Sequence, residues 1–365
     1  WLEAKRVTHV AMESTGVYWK PIYNLLEETG IQPLVVNARD IKNVPGRKTD
    51  VKDAEWIADL LRHGLLRGSF IPSRSQRELR ELVRYRRALI EEQSREANRI
   101  QKVLEGANIK LGDVATDVLG KSGREILEYL VAGETDPEKL ADLARGRLKK
   151  KREQLAEALR GVMGPHQHMM LASQLRHIDF LEQEIARLER EIEERMRPFA
   201  QALERVDEIH GLGQRNAEEI LAATGVDMSR FPSSAHLASW AGLCPGNNES
   251  AGKRLSGRIG KGNPHLRVAL VRASRSAART KKTYLSALYH RLAARRGGNR
   301  AAVAVAHAIL VIIYHMLKNG THYHDLGHDY FDKLNEQAAV SRALARLEAL
   351  GYEVTLTRRS GETAA

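Results

Sequence analysis

With 365 residues, 42% of them apolar, 28% charged and only 5% aromatic, the chain has the composition of a globular protein of two or three domains. The scarcity of aromatic rings disfavours single-strand binders that stack bases. The single cysteine excludes internal disulfides and cysteine-based zinc sites and fits a reducing cytoplasm, while the net charge of +12 points to a polyanionic partner.

The first 72 residues alternate predicted strands and helices. A strand over 7–12 is followed by an amphipathic helix over 18–28, a second strand over 31–36 and a helix over 51–63. This order is typical of an α/β domain. Because the chain opens almost directly on a strand of interior character, we expect that an upstream portion of this domain is missing from these residues.

Three carboxylates of this domain are candidate metal ligands. Glu13 follows the first strand, where its side chain would project from the carboxyl end of a sheet. Asp50 and Asp53 are three residues apart at the start of a helix and therefore share one face of it. Converging carboxylates suit Mg²⁺, which polarises phosphodiesters. Spacing alone equally allows Asp50 to be an N-cap and Asp53 a first-turn residue.

The middle of the chain is predicted to be helical. A charged helix spans 75–104. From Leu171 to Ile192, apolar residues recur at steps of three and four, which indicates a coiled-coil seam of about three heptads that ends near Pro198. We expect a helical hairpin or a dimer stalk; the alternative is a long helix packed in a bundle.

A glycine-rich turn opens the last, mostly helical part of the chain. Gly211 and Gly213 form a Gly-x-Gly turn that leads into a helix, where free backbone amides would face a phosphate oxygen. The turn resembles a helix-hairpin-helix, a sequence-neutral clamp on the DNA backbone. A plain turn between helices has the same pattern.

The positive charge is concentrated in residues 250–324, which contain 15 Lys and Arg and no Asp or Glu, so that the rest of the chain sums to −3. Such a surface displaces counterions from phosphates. Its first loop, within 242–267, is dense in glycine, asparagine and basic residues, and Ser250 and Ser256 lie in it. A serine becomes a nucleophile only where a neighbouring group accepts its proton or polarises its target. The candidate DNA contacts are Gly211, Gly213, Lys253, Arg254, Arg258, Lys261, Asn263 and Arg267.

The most apolar run of the chain covers residues 301–317. His307 and His315 interrupt it and its length is marginal for a membrane span, so we expect a buried helix and no association with a membrane. No signal peptide is evident, which favours a cytoplasmic protein. A last helix is predicted over about 338–350, before a disordered tail.

Together these motifs resemble those of one family, the DEDD transposases of insertion sequences (the IS110 and IS1111 group). Residues 12–19 are similar to the family's second-acid motif and residues 44–54 to its paired-aspartate motif. Gly242-Leu243, Ser250 with Gly252, and residues 260–263 are similar to its C-terminal transposase domain. The resemblance runs nearly from end to end of the chain.

The resemblance implies a RuvC-like domain of the RNase H fold, then a coiled coil, then a helical domain with a catalytic serine. Glu13, Asp50 and Asp53 would be three of four Mg²⁺-binding acids, and Ser250 would be the nucleophile that holds DNA as a phosphoserine. Members are also associated with a guide RNA. The family's first acid has no counterpart, because only Glu3 precedes Glu13. We therefore expect a truncated domain that is inactive or poorly folded on its own.

The expected fold is thus α/β plus α, in four parts. These are a RuvC-like domain (1–115), a helical and coiled-coil region (116–204), a helical transposase domain (205–325) and a terminal helix with a tail (326–365).

The expected function is that of a bacterial or archaeal transposase. It would cleave and rejoin double-stranded DNA through Ser250, with Mg²⁺ and a guide RNA, as a dimer or tetramer held by the coiled coil. The rival enzyme is a RuvC-type nuclease that cuts branched DNA by water attack. The alternative that is not an enzyme is a non-catalytic DNA-binding remnant.

Overall fold

The computed structural model describes residues 1–37, 41, 50–246, 248–250, 252–260 and 262–356, without the side chains of residues 50–52, 248–250, 254–256 and 339. The chain divides into two compact units between Glu78 and Leu79. The four-part division expected above stays a prediction.

The first unit has the predicted order of strands and helices. Its elements are β1 (His9–Glu13), α1 (Trp19–Leu26), β2 (Gln32–Val36) and α2 (Asp50–Arg62). β1 and β2 pair in parallel, with Glu13 opposite Val36, so Glu13 is the last residue of its strand and does not follow it. This small parallel sheet with flanking helices is compatible with the expected nuclease-like domain.

The core of the first unit lies on β2 and α2. Val36, Ile41 and Leu60 are buried together, and Trp56 packs against them. Gly68 forms an antiparallel bridge with Val36, and a Cβ on Gly68 would lie 2.4 Å from Leu34 Cδ1. A side chain at position 68 would therefore require the Leu34 side chain to move.

The middle of the chain is helical, as predicted. Its α-helices are α3 (Arg74–Gly106), α4 (Leu111–Val114), α5 (Lys121–Val131), α6 (Pro137–Asp142), α7 (Arg152–Ala158) and α8 (Pro165–Met196). A single apolar core joins the second half of α3 to α5, α7 and the first half of α8. Ile100, Leu104, Ile126 and Leu155 are at most 1% exposed within it.

The predicted coiled-coil seam lies on α8. Its first members, Leu171, Leu175 and Ile178, are buried in the core of the same chain. α3 and α8 run in opposite directions, since Gln93 contacts Glu182 and Glu96 contacts His177 further along α3. The first half of α8 is thus packed as in the bundle alternative, while a stalk between two copies stays a prediction.

The last part of the chain comprises helices around one short hairpin. The elements are α9 (Ala200–Asp207), α10 (Gln214–Thr224), α11 (Ser234–Trp240), β3 (Asn248–Ser250), β4 (Lys253–Ser256), α12 (Pro264–Arg279), α13 (Tyr284–Arg296), α14 (Gly298–Asn319), α15 (Tyr330–Leu334) and α16 (Glu336–Ala349). Short 3₁₀ turns cover Leu148–Lys151, Arg197–Phe199 and Met228–Arg230.

α14 is the central helix of this part and packs against α9, α11, α12 and α13. Val305, Ile309, Leu310 and Ile313 are completely buried in it. Within the part of the chain that is described, it is the one helix long and apolar enough to cross a bilayer, with a mean hydropathy of 1.8, and half of it is buried by the protein. The expectation of a buried helix over 301–317 is confirmed.

Candidate functional site

Glu13 lies at the carboxyl end of β1, beside a cavity of about 450 Å³. Met12, Glu13, Tyr18 and Ala54 are among the residues that line this cavity, so it is bounded by β1, α1 and α2. The Glu13 carboxylate accepts a hydrogen bond of 2.5 Å from the Thr15 hydroxyl. The carboxylate is therefore held at a sheet edge that opens into a cavity.

Asp50 and Asp53 lie in the first turn of α2, as predicted. α2 packs on β1, and Ala54, the neighbour of Asp53, lines the same cavity as Glu13. The structure thus brings the start of α2 to the strand that ends in Glu13. The side chain of Asp50 lies outside the described residues, among which no group of three His, Cys, Asp or Glu side chains could hold a metal ion. The carboxylate donors suit Mg²⁺ chemically, and the complete set stays a prediction.

Ser250 occupies the tip of a β-hairpin. β3 and β4 pair in antiparallel register with Ser250 opposite Lys253, so only residues 251 and 252 connect the strands. Gly252 has a φ of +74°, a conformation that suits glycine in a tight two-residue connection. Ser256 lies at the other end of β4, opposite Asn248. The side chains of Ser250 and Ser256 lie outside the described residues.

The base of this hairpin is held by direct contact between two glycines. A Cβ on Gly262 would lie 2.3 Å from Gly242 N, and both residues have positive φ angles. The Gly246 amide donates to the Arg258 carbonyl at 2.8 Å, so the pairing of the two chain segments continues beyond Asn248 and Ser256, away from the tip. The sequence pattern predicts that the backbone at these glycines lies close to a bound phosphate. For Gly242 and Gly262, the close approach is to each other's backbone.

The start of α12 fixes the second side of the hairpin. Asn263 caps this helix by accepting a hydrogen bond of 3.2 Å from the Leu266 amide. Arg267 donates to the Gly260 carbonyl at 3.1 Å. Asn263 and Arg267 therefore have structural partners in addition to their predicted contact with DNA.

Among the other predicted DNA contacts of this region, Lys253 and Arg258 are exposed, as phosphate contacts require. Lys261 and the side chain of Arg254 lie outside the described residues.

The two glycines of the predicted helix-hairpin-helix differ in their surroundings. They connect α9 to α10, with φ angles of +92° at Gly211 and +70° at Gly213. A Cβ on Gly211 would lie 2.3 Å from Ala277 N, whereas one on Gly213 would meet nothing within 4 Å. Gly211 thus allows α12 to pack closely. Gly213, at the start of α10, is open to a ligand, and its role as a DNA clamp stays a prediction.

Sequence reasoning missed the arginines of α3 that dock on α10. Arg86 and Glu218 form an ion pair of 2.5 Å in which both side chains are buried. Glu219 accepts from Arg87 at 3.1 Å and from Arg272 of α12 at 2.5 Å. Arg80 donates to the carbonyl of Ala222 at the end of α10. α10 is thereby tied to both α3 and α12.

Two family profiles match this chain. Residues 1–109 match the profile of the DEDD transposases of IS110 type, and residues 203–290 match the profile described as the transposase IS116/IS110/IS902 family. The chain belongs to the IS110 family of insertion-sequence transposases. The first match contains Glu13, Asp50 and Asp53, and the second contains Ser250 and the turn at Gly211.

Three curated relatives support this assignment. The transposase for insertion sequence element IS1111A of Coxiella burnetii is 36% identical over 132 residues, which cover 34% of this chain and 36% of the relative. The IS110 uncharacterized 43.6 kDa protein of Streptomyces coelicolor is 28% identical over 305 residues, which cover 76% and 73%.

The putative transposase y4pF/y4sB of Sinorhizobium fredii is 27% identical over 283 residues, which cover 76% of this chain and 64% of the relative. For two of the three relatives, the IS110-family chain therefore matches less than two thirds of their length.

Proposed function

We propose that this chain is a DNA transposase that cleaves and rejoins double-stranded DNA through Ser250, with a divalent metal ion held by Glu13, Asp50 and Asp53. The observation that carries the proposal is the β3–β4 hairpin, which has Ser250 at its tip opposite Lys253. This tip begins a segment of 15 cationic residues without a carboxylate. Cations around a nucleophile attract the phosphodiester. Glu249, the acid directly before Ser250, lies opposite Arg254 in the register of the hairpin.

The serine step follows from this placement. The Ser250 oxygen would form an ester bond with a backbone phosphorus as its hydroxyl loses a proton. The bond from phosphorus to a deoxyribose oxygen breaks, and that oxygen leaves as a hydroxyl. Attack by another deoxyribose hydroxyl on the phosphoserine would restore Ser250 and rejoin the DNA. Because both steps exchange one phosphate ester for another, they need no external energy source.

The acids of the first unit have a separate role in the proposal. A divalent ion bound there would polarise the phosphodiester that is cleaved. Thr15 supports this arrangement by donating to the Glu13 carboxylate, which fixes the orientation of one ligand.

The remaining parts of the proposal rest on the family resemblance. We include a guide RNA among the partners, and a dimer or tetramer held through α8. α8 offers surface for a second copy, since Phe180 is 57% exposed and Met169 63% exposed on it. A cytoplasmic site of action is consistent with the single Cys244.

The test uses the complete insertion element in cells, with its flanking sequence retained, and traps covalent protein–DNA adducts. We expect Ser250→Ala to abolish both adducts and transposition, while Ser256→Ala on the same hairpin leaves adducts intact. Asp53→Asn should reduce transposition strongly and leave DNA binding unchanged.

Each rival function gives a different pattern. Adducts that persist in Ser250→Ala would refute the serine mechanism. Cleavage that needs Asp53 and not Ser250 would favour the RuvC-type nuclease. DNA binding without any cleavage product, with or without divalent metal, would favour a non-catalytic remnant.

A further inference from the structure

A second basic feature lies in the helical middle of the chain, well before residues 250–324 in sequence. Here three segments of the chain line a cavity of about 430 Å³. They are residues 114–117 from the last residue of α4 onward, residues 120–123 at the start of α5, and residues 145–148 with Lys151 before α7. We call this cavity the basic cavity. Its charged lining residues are Lys121, Arg145, Arg147, Lys151 and one acid, Asp117.

The positive charge of the basic cavity is only partly compensated. Arg145 forms an ion pair of 2.7 Å with Glu125, and Lys151 lies 3.5 Å from the Val114 carbonyl. Within the described part of the chain, the side chains of Lys121 and Arg147 have no hydrogen-bond or ion-pair partner. All four cationic residues are exposed to solvent. They are therefore available to an anion.

The walls of the cavity are held together by close backbone contacts. A Cβ on Gly123 would lie 2.3 Å from the Val118 carbonyl oxygen, so the first turn of α5 is pressed against the segment before it. The Arg145 amide donates to the Ser122 hydroxyl at 2.8 Å, which ties the third segment to the second. The cations thus project from a fixed frame, and the loss of conformational entropy on binding is correspondingly small.

We propose that the basic cavity binds phosphates of a duplex DNA backbone, as a contact separate from residues 250–324. The inference rests on the proposed function. Residues 145–152 contain six Lys and Arg and no acid, which attracts a polyanion to the rim of the cavity. The lining residues include no aromatic ring on which an unpaired base could stack. Cations without stacking platforms suit the continuous phosphates of a duplex.

The test measures the salt dependence of binding to a duplex DNA oligonucleotide by fluorescence anisotropy with the full chain. We expect Lys121→Ala/Arg147→Ala/Lys151→Ala to bind more weakly than wild type. The slope of log affinity against log salt should become shallower by about one unit for each phosphate that the variant no longer neutralises. The variant Lys121→Arg/Arg147→Lys/Lys151→Arg keeps the charges and should restore the wild-type slope.

A matched control removes the same charge outside the cavity. Lys102 on α3, Lys139 on α6 and Arg160 after α7 are exposed, and they neither line the cavity nor belong to residues 145–152. Lys102→Ala/Lys139→Ala/Arg160→Ala should therefore change the slope much less. Thermal unfolding of each variant shows whether it remains folded.

Three outcomes overturn the inference. They are an unchanged slope in the cavity variant, an equally weakened affinity in the control variant, and a weakening seen with duplex RNA alone. Any of these leaves the serine mechanism standing. Conversely, adducts that persist in Ser250→Ala refute the serine mechanism without affecting the basic cavity.

Discussion

Arg86 on α3 and Glu218 on α10 form an ion pair of 2.5 Å whose side chains are only 3% and 6% exposed. The helix that follows the Gly-x-Gly turn, α10, is therefore anchored to α3 by a charge pair that water does not reach. A second terminal nitrogen of Arg86 is buried without a hydrogen-bond partner among the described residues. The pair is thus sensitive to any change that leaves one charge alone.

Removal of Glu218 should destabilise the protein strongly. We expect Glu218→Ala to lower the free energy of unfolding by about 3–5 kcal/mol, because it leaves the Arg86 guanidinium buried and uncompensated. The double variant Arg86→Met/Glu218→Leu should recover most of this stability, since it buries no charge. Urea denaturation measures both. A double variant as unstable as the single one would contradict this account.

The contact between Gly242 and Gly262 should tolerate no side chain. Gly262→Ala places a Cβ against the backbone of Gly242 at a positive φ, and the conformation alone costs about 1–2 kcal/mol. Gly260→Ala is the matched control, because a Cβ there meets nothing within 4 Å. We expect a lower melting temperature and an absence of serine adducts in Gly262→Ala, and neither in Gly260→Ala. Equal melting temperatures would show that the contact can relax.

Asp325 should hold the segment after α14 in place. Its carboxylate accepts hydrogen bonds from the Tyr284 amide at 2.9 Å and from the Tyr323 hydroxyl at 3.4 Å. Asp325→Ala leaves these donors unpaired, and we expect a decrease of about 1–3 kcal/mol in the free energy of unfolding. Asp332→Ala removes an exposed carboxylate and is the control. Similar melting curves for the two variants would refute the role of Asp325.

Two histidines should make stability depend on pH near neutrality. Burial lowers the pKa of His307 below its ordinary value of 6.5. Burial, followed by repulsion from Arg84 and Arg87, lowers the pKa of His265. The unfolded chain then binds these protons more readily, so stability should fall as the pH drops below about 6.5.

The variant His265→Gln/His307→Gln tests this dependence. It should flatten the decline of the melting temperature between about pH 7 and pH 5, a window above the ordinary carboxylate range. A decline as steep as that of the wild type would assign the effect to other groups.

Much of the fold could be predicted because its strongest signals are local. The order β1, α1, β2, α2 follows from apolar periodicity, and the helices around Leu171 and Ile309 lie where their patterns indicated. The partner of α8 could not be predicted, because a seam with steps of three and four looks the same in a bundle and in a dimer stalk. Burial of Leu171 against α3 and α5 is a tertiary property.

The candidate site was less accessible to sequence reasoning. Glycines at 242 and 262 indicated close approach, but a sequence does not reveal whether backbone or phosphate is the neighbour. The arginines at 80, 84 and 87 share one face of α3, a regular spacing that could have indicated a docking surface. The basic cavity was hidden because the six flanking acids within residues 134–157 offset the six cations of residues 145–152 in the summed charge.

The Gly242–Gly262 contact has a consequence for how the hairpin can change in evolution. Since Gly242 and Gly262 contact one another, the chain between them has fixed endpoints. The ribbon already accommodates one extra residue, because Asn248 lies opposite Ser256 whereas Glu249 lies opposite Arg254. A further single insertion that is not absorbed by such a bulge would turn the following side chains to the opposite face of the ribbon. We therefore expect natural variation in hairpin length to come in even steps, as a bulge of this kind, or at the tip beyond Ser250.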